Sequence, residues 1–473
     1  MEFSDKLRHG GPGQPAPLAV SPNGAVMAST QDLNVELRDV ETLKVLQLYT
    51  ALDIVDHIAW SPDSKYVACG MYKRGLVQVF SLVDGDWKCK IDAGPEGVAH
   101  FYWSPDSCRI LTCANFQIRV TVWSLVDKSS LEIPFPKWTK AGTEFSPDGQ
   151  YLAMAHREDH KDLVRIYSTQ SFALMSEFFV ETVDLVNLKW DPRSRMLAVW
   201  DTSLKYNVYV YAMDGKQLHA YSAYSDAMGI KKVSWAPCGQ FLAVGSYDGQ
   251  VRMLNHITWQ ILAEHEHTAG KIDGNEVDIY REHTMWDGDG ERTRYAVEEG
   301  TVTVPVQKHD EMKHPPQLGV GLAEWSHDSS LLLTRNDNMP TAVWIWETQT
   351  LSLKALLLHD DPVKEAKWDP GSLRVALCTG NRKLFFWSAD SAACVDVPIE
   401  GFTVNGMRWG GEKERRGGTA AAEDGDGKGE ADGEVQTEDK EFTGSDVIIL
   451  DDDAGNASKR KTFNHYCCVY LTA

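Results

Sequence analysis

No stretch of about eighteen uninterrupted apolar residues occurs in the 473-residue chain, so no segment reads as a membrane-crossing helix. Residues 1–18 hold Gly and Pro but no apolar core, unlike a secretory signal peptide. Positive charge is scarce: 47 Lys and Arg face 68 Asp and Glu, for a net charge of −21. That balance argues against a non-specific grip on nucleic-acid phosphates or anionic lipid. No Gly-rich phosphate loop, Gly-x-Ser-x-Gly elbow or His-Glu-x-x-His is present. Nine cysteines are scattered without a Cys-x-x-Cys pair, mostly inside apolar stretches. This is the pattern of small apolar fillers in a reducing compartment rather than a disulfide framework.

Aromatic residues, by contrast, are plentiful, with 16 Trp, and they recur at a fixed spacing. Residues 233–255 read V-S-W-A-P-C-G-Q-F-L-A-V-G-S-Y-D-G-Q-V-R-M-L-N. The pattern predicts a strand, a Pro-Cys-Gly turn, a second strand, a Tyr-Asp-Gly hairpin and a third strand. Such a sheet cannot bury its own face and needs copies of itself. The copies are there. Ser21-Pro22, Trp60-Ser61-Pro62-Asp63, Trp103-Ser104-Pro105-Asp106, Phe145-Ser146-Pro147-Asp148, Trp190-Asp191-Pro192 and Trp325-Ser326-His327-Asp328 belong to the series. So do Trp368-Asp369-Pro370 and a worn ninth copy at Met407-Arg408-Trp409. From Pro22 the steps are 40, 43, 42, 45 and 45 residues, then 90 to His327 and 43 to Pro370.

This period is the signature of an all-β WD-repeat β-propeller. The nine units predict a single propeller over residues 1–473, one closed ring of eight or nine blades. A smaller ring would leave orphan blades with bare strand edges. Residues 1–8 are expected to supply the outer strand of the last blade. Two interruptions are expected. Residues 264–317 form a polar insertion between blades, a loop with a hairpin, strand-like at 295–306. Residues 411–444, with 11 acidic and 5 basic side chains, form a disordered acidic insertion in the last blade. Strands at 447–450 and 467–471 then complete that blade.

Few residues suggest chemistry. His265-Glu266-His267 is the nearest approach to a metal cluster, but no third ligand has a fixed spacing and solvated loop histidines are the favoured reading. The Asp residues after the prolines are expected to cap turns, not to do acid–base work. Asn456-Ala457-Ser458 is a sequon without a signal peptide, and Lys459-Arg460-Lys461 reads as a solvated turn. No catalytic residue, metal or cofactor is expected. The Gly-His of the usual WD tetrad is absent from its place, and Ser246 with Asp248 keeps half of it. Aromatic packing is expected to replace the rest.

The expected function is binding, at the rim formed by the loops between second and third strands. The candidate residues are Tyr72, Lys73, Arg74, Trp200, Asp201, Tyr247, Asp248, Arg335, Asn336 and Asp337. Arg and Tyr are enriched at interface hot spots. Trp200 stands where other copies carry Gly70, Met154 or Gly245; it either fills a gap beneath the rim or projects as an anchor, filler being favoured.

Several stretches go beyond generic repeats. They are Leu46-Gln47-Leu48-Tyr49-Thr50, Met71-Tyr72-Lys73-Arg74-Gly75, Trp87-Lys88-Cys89-Lys90, Leu197-Ala198-Val199-Trp200-Asp201-Thr202, Tyr221-Ser222-Ala223-Tyr224, Asn255-His256-Ile257-Thr258-Trp259 and Thr334-Arg335-Asn336-Asp337-Asn338. In these the chain resembles the WD-repeat protein eight family of centrosomes and spindle poles. The resemblance implies a non-enzymatic scaffold that binds a coiled-coil centrosomal protein of the synovial-sarcoma-X breakpoint-interacting type. In fungi it also implies work with a minus-end-directed kinesin. Microtubule minus-end anchoring, spindle organisation and cilium assembly follow, with localisation to the cytoplasm, cytoskeleton, centrosome, spindle pole and centriolar satellites. The alternative is a ribosome-associated propeller of the translation-initiation type, against which the acidic charge and the lack of a basic tail both count.

Overall fold

A computed structural model describes residues 1–9, 17–287, 290–308, 316–410, 447–452 and 464–471. Within them nine antiparallel sheets follow one another round a ring. Blade 6 shows the pattern: strands Ile230–Trp235, Phe241–Ser246, Gln250–Asn255 and Ile261–Glu266, each paired with the one before it. Blades 1 to 5 occupy 18–50, 57–92, 100–134, 143–179 and 185–221; blades 7 and 8 occupy 320–358 and 365–396. Blade 9 combines Gly406–Trp409, Val447–Asp451 and Asn464–Tyr470 with the N-terminal strands Glu2–Phe3 and Leu7–His9. The chain ends are thus stitched into one sheet, as expected for residues 1–8. The first strands of neighbouring blades approach one another, which places them innermost.

The repeated motif explains both turn and blade spacing. In blade 2, Ser61 Oγ donates to Asp63 Oδ1 at 2.6 Å and accepts the N–H of Tyr66 at 2.9 Å. Asp63 also accepts the N–H of Lys65 at 3.2 Å, so serine and aspartate together close the hairpin. Blade 7 repeats this with Ser326 and Asp328 at 2.7 Å. The tryptophan before the serine reaches sideways. Trp103 Nε1 donates to the carbonyl of Ala59 at 3.1 Å, the residue just before Trp60 in the preceding blade. Trp60, Trp190, Trp235, Trp325, Trp368 and Trp409 make the equivalent bond, to Ala19, Glu144, Lys189, Ser234, Glu324 and Lys367. Only Val20 and Phe145, which have no side-chain N–H, interrupt the ladder.

The fourth motif position adds a second lock. Ser64, Ser107, Ser194 and Ser329 all have φ between +57° and +66°. Their hydroxyls accept backbone N–H groups of the preceding blade, from Asn23, Asp63, Asp148 and Cys238, at 2.9–3.1 Å. Left-handed backbone is unfavourable for a residue with a Cβ. Glycine takes the position in blades 1, 4 and 6, at Gly24, Gly149 and Gly239, without supplying the hydroxyl.

Apolar side chains from adjacent blades form the core. Ala198, Trp200, Val208, Val233, Trp235 and Val244 make one such cluster between blades 5 and 6. Leu18, Met27, Val447, Ile449 and Cys468 close the ring between blades 1 and 9. All nine cysteines are free.

The insertion departs from expectation. His265 and His267 are not solvated: both are buried, at the end of blade 6's outer strand and just beyond it. The strand expected at 295–306 is divided. Gly290–Val297 pairs with Asp278–Asp287, and Thr301–Thr303 pairs with Lys271–Asp273. Asp278–Asp287 then joins the outer strand of blade 7 in parallel, Asp278 opposite Ala355 and Arg281 opposite Leu358. The hairpin therefore extends blade 7 to six strands and reaches the outer strand of blade 8. Alternating polarity in this segment concealed a docking face made by few residues. The acidic insertion at 411–444, the sequon and the Lys459-Arg460-Lys461 cluster lie outside the described residues.

Candidate interaction surface

Antiparallel alternation fixes which loops share a face. First strands run away from it, so the connections from second to third strand and from outer strand to the next blade meet on one side. All ten candidate residues lie on or just beneath this side, but they differ sharply in what they offer.

Lys73 and Arg74 are exposed, on a short 3-10 turn, Tyr72–Arg74, closed by Gly75 at φ +66°. Arg74 Nε meets Asp53 Oδ2 at 2.5 Å. Tyr72 leans inward: its hydroxyl lies 3.4 Å from His100 Nδ1. Trp200 is only 6 % exposed and packs with Trp235 and Val208, so it is filler and gives a partner no surface. Asp201 is also buried. It accepts the N–H groups of Val183 and Asp184 at 2.7 and 2.9 Å and the Asn207 amide at 3.0 Å, holding the loop between blades 4 and 5. Their place among the binding candidates is corrected: both shape the surface from below.

Tyr247, Arg335 and Asp337 come together around a residue the sequence did not single out, Lys231. Its ammonium lies 2.6 Å from Asp337 Oδ2, 2.6 Å from the Leu318 carbonyl and 5.0 Å from the Tyr247 ring centre. Arg335 Nη2 donates to the other oxygen of Asp337 at 3.0 Å. A Cβ on Gly321 would stand 2.4 Å from that carboxylate, which is why glycine occupies the position. Asn336 is buried, and Asp248 is exposed and engaged by Ser246 and by Arg252 at 2.8 Å. The Lys-Asp-Arg set braces blades 6 and 7. A similar brace joins blades 4 and 5, where Lys137 lies 2.8 Å from Asp162 and 2.7 Å from Asp184.

Three members of the tetrad are present in blade 7, in disguise. Trp346 Nε1 donates to Thr334 Oγ1 at 2.8 Å, and His267 Nε2 lies 2.7 Å from the same hydroxyl. His267 Nδ1 lies 2.7 Å from the Gly249 carbonyl. A carbonyl only accepts, so Nδ1 carries the proton and Nε2 takes the Thr334 hydroxyl. The insertion separates this histidine from its blade, and so it was missed. The readable signal was Thr334 twelve positions before Trp346.

Towards the axis, a depression of about 1360 Å³ opens on blades 1 to 4, lined among others by His57, His100, Tyr102 and Lys140. Burial pushes His100 down to about 4 and lowers His57, leaving both neutral at pH 7. Cys113 sits 3.2 Å from the Tyr102 hydroxyl, and burial pushes its thiol up to about 11. Burial raises Cys69, Cys378, Cys394, Cys467 and Cys468 to about 12. Thiols so protonated are poor nucleophiles and poor metal ligands. At the ring closure His9, Asp451 and Asp452 gather within 4.8 Å, but His9 Nε2 is turned to Asp451 at 3.2 Å and His465 to Asp452 at 3.4 Å. The first pair fastens the N-terminal strand to the last blade, and the second lies within that blade.

A nine-bladed ring built on the W-S-P-D motif, with a Trp-Thr-His relay, defines a WD-repeat β-propeller. Comparison with known proteins narrows the class. The chain is 42 % identical to WD repeat-containing protein WRAP73 of Mus musculus over 408 residues, covering 82 % of this chain and 88 % of that protein, and it belongs to that family. An uncharacterized WD repeat-containing protein of Schizosaccharomyces pombe is 23 % identical over 402 residues, 80 % of this chain and 81 % of its own. The model of the anaphase-promoting complex subunit 4 WD40 domain matches residues 188–280. Among solved structures, a eukaryotic initiation factor superposes with a TM-score of 0.56 at 12 % identity, over 83 % of this chain and 91 % of that one. That likeness is one of fold alone.

Proposed function

We propose that this propeller is a non-enzymatic scaffold at the centrosome or spindle pole, binding a coiled-coil partner of the synovial-sarcoma-X breakpoint-interacting type. In this reading it anchors microtubule minus ends, with roles in spindle organisation and cilium assembly, and it works beside a minus-end-directed kinesin where one is present. The observation that carries the reading is the 42 % identity to a WD-repeat relative across most of both chains. The binding part of the reading is supported by a loop face with side chains such as Lys73 and Arg74 open to contact.

The experiment is imaging of a tagged full chain through mitosis, with co-sedimentation of the extract. A focus at the poles and migration with γ-tubulin fractions is expected. Diffuse staining, or migration with ribosomal subunits, overturns the reading.

A further inference from the structure

The first strands line the central channel, and the charge they bring to it is opposite to that of the chain. His57 and Ala59 of blade 2, with His100 and Tyr102 of blade 3, bound the depression of about 1360 Å³. These are the positions three and one before the motif tryptophan. In blades 4 to 9 the same positions carry Lys189, Lys232, Lys367 and Arg408 against Glu144, Glu324 and Glu365. Lys140, in the loop before blade 4, lines the depression too. Five cations thus meet three carboxylates here, in a chain whose net charge is −21.

Pairing takes up two of the carboxylates. Glu144 lies 3.0 Å from Lys189 and accepts the N–H of Trp190 at 2.8 Å. Glu365 lies 3.6 Å from Lys367 and accepts the N–H of Met407 at 2.9 Å. Among the described residues Lys140, Lys232 and Arg408 have no ion pair. They stand between blades 3 and 4, on blade 6 and on blade 9, about a third of the ring apart. Their field reaches the imidazoles. Burial lowers His57, Lys140 and Arg408 lower it further, and no carboxylate among the described residues offsets them. His57 Nδ1 is buried without a hydrogen-bond partner among those residues, and its ring centre lies 5.4 Å from that of His100. Like charges gathered in a concave site focus the field and draw a counter-ion.

The two mouths of the channel differ. On the loop face Asp56 accepts the N–H of Tyr72 at 2.8 Å, and Asp184 lies 2.7 Å from Lys137 and 2.8 Å from Arg157. On the turn face Asp63, Asp106 and Asp148 border the same depression. An acidic chain threading the channel would have to pass these aspartates, whereas a compact polyanion entering from the loop face would not. Cations on three sides of one axis call for charge on every side of the ligand, which several phosphate groups on one small molecule provide. Arg408 offers a forked donor and the two lysines offer point charges, the groups that hold phosphate.

We infer that the central channel binds a multiply phosphorylated small molecule, held by Lys140, Lys232 and Arg408 and bordered by His57 and His100. The inference goes beyond the scaffold reading and does not depend on it.

The test is isothermal titration calorimetry of the full chain with inorganic tripolyphosphate, set against sulfate and an oligoglutamate peptide. Tripolyphosphate is expected to bind at one site per chain, about 10-fold or more tighter than sulfate, and more weakly at higher salt. Lys140→Ala, Lys232→Ala and Arg408→Ala should each weaken it by about 10-fold, the scale of one charge-assisted hydrogen bond. Lys140→Arg, which keeps the charge, should retain binding. Lys128→Ala, on an exposed loop of the turn face, should leave it unchanged. Thermal unfolding of each variant shows whether the ring is intact, and Lys140→Arg keeps the test open where an alanine variant fails to fold. No binding by the wild-type chain, or unaltered affinity in the folded alanine variants, overturns the inference. So does sulfate binding as tightly as tripolyphosphate. Tighter binding of oligoglutamate overturns it as well, since the channel would then take an acidic protein segment.

Discussion

His267 and Trp346 share one hydroxyl, that of Thr334, which gives its proton to the imidazole and takes one from the indole. The histidine comes from the end of blade 6's outer strand, and the other two come from blade 7. The relay is therefore an inter-blade bond, and its loss should be felt across the ring. Burial pushes His267 down to about 4. Neutral in the fold and titrating near 6.5 when unfolded, it contributes its full stability above pH 6.5 and loses it as pH falls towards 4. His100, His156, His265 and His359 are pushed down to about 4 in the same way.

Denaturant unfolding at pH 7 and pH 5 should read this directly. Wild type is expected to lose on the order of 1–2 kcal/mol for each of the deeply buried His267 and His359 by pH 5, and less for the more exposed His100. His267→Phe should cost about 2–3 kcal/mol at pH 7, through an unsatisfied Thr334 and lost packing. At pH 5 the gap between variant and wild type should narrow. A gap that stays constant would show that His267 is not held neutral by the fold.

The tryptophan ladder makes a second prediction. Trp103→Phe keeps an aromatic ring but removes both the bond to Ala59 and part of the buried indole, and it should cost about 1–3 kcal/mol. Phe145→Trp extends the ladder to blade 4, where the equivalent acceptor is the Tyr102 carbonyl, and should be neutral or mildly stabilising. If Trp103→Phe left the unfolding midpoint unmoved, the indole N–H would not be part of what holds neighbouring blades together.

Arg335 and Arg74 looked equivalent as exposed forked donors, and the fold separates them. Asp337 lies between Lys231 and Arg335, all three largely covered, so Asp337→Ala should destabilise by about 1–3 kcal/mol. Arg74→Glu acts on a solvated side chain and should leave thermal unfolding unchanged. A charge reversal at Arg335 therefore mixes folding with binding, whereas one at Arg74 or Lys73 reports binding alone. Equal unfolding midpoints for Asp337→Ala and wild type would remove the brace.

What could be read from the chain followed from what repeats. The period gave nine units and left eight or nine blades open, and the ring has nine. The Ser-Asp turns behaved as cappers, and residues 1–8 took their place beside blade 9. Lys231 was not legible because its partners lie on another blade, 87 and 106 residues away. Trp200 was favoured as filler, and its packing on Trp235 bears that out, but the repeat gave the loop of Asp201 without its depth, so both stood among the binding candidates. Phe116 and Phe135, 90 % and 69 % exposed on loops of blade 3, were overlooked because an apolar residue in a loop carries no periodic signal, and its exposure depends on backbone angles that the sequence does not announce. His265 and His267 looked solvated because the insertion hides which blade they serve.

The insertion provides the last prediction. Its hairpin is attached to blade 7 by parallel pairing, but pairing alone does not explain how it also reaches blade 8. Glu282, almost fully buried, accepts the N–H of Asp360 at 3.0 Å and meets Lys383 of blade 8 at 2.7 Å. Tyr295, on the second arm, bonds to His359 and packs its ring 5.1 Å from Phe385 of blade 8. Glu282→Ala removes the anion from a buried pair and should cost about 3 kcal/mol. The loss should be local before it is global. Hydrogen exchange is expected to rise across 278–287 and in the outer strand of blade 7, while blades 2 to 5 keep their protection. Tyr295→Phe, which retains the ring and drops the hydroxyl, should give a smaller rise in the same segments. If Glu282→Ala accelerates exchange evenly around the ring, the hairpin is not a separately attached strap but part of one cooperative unit with the propeller.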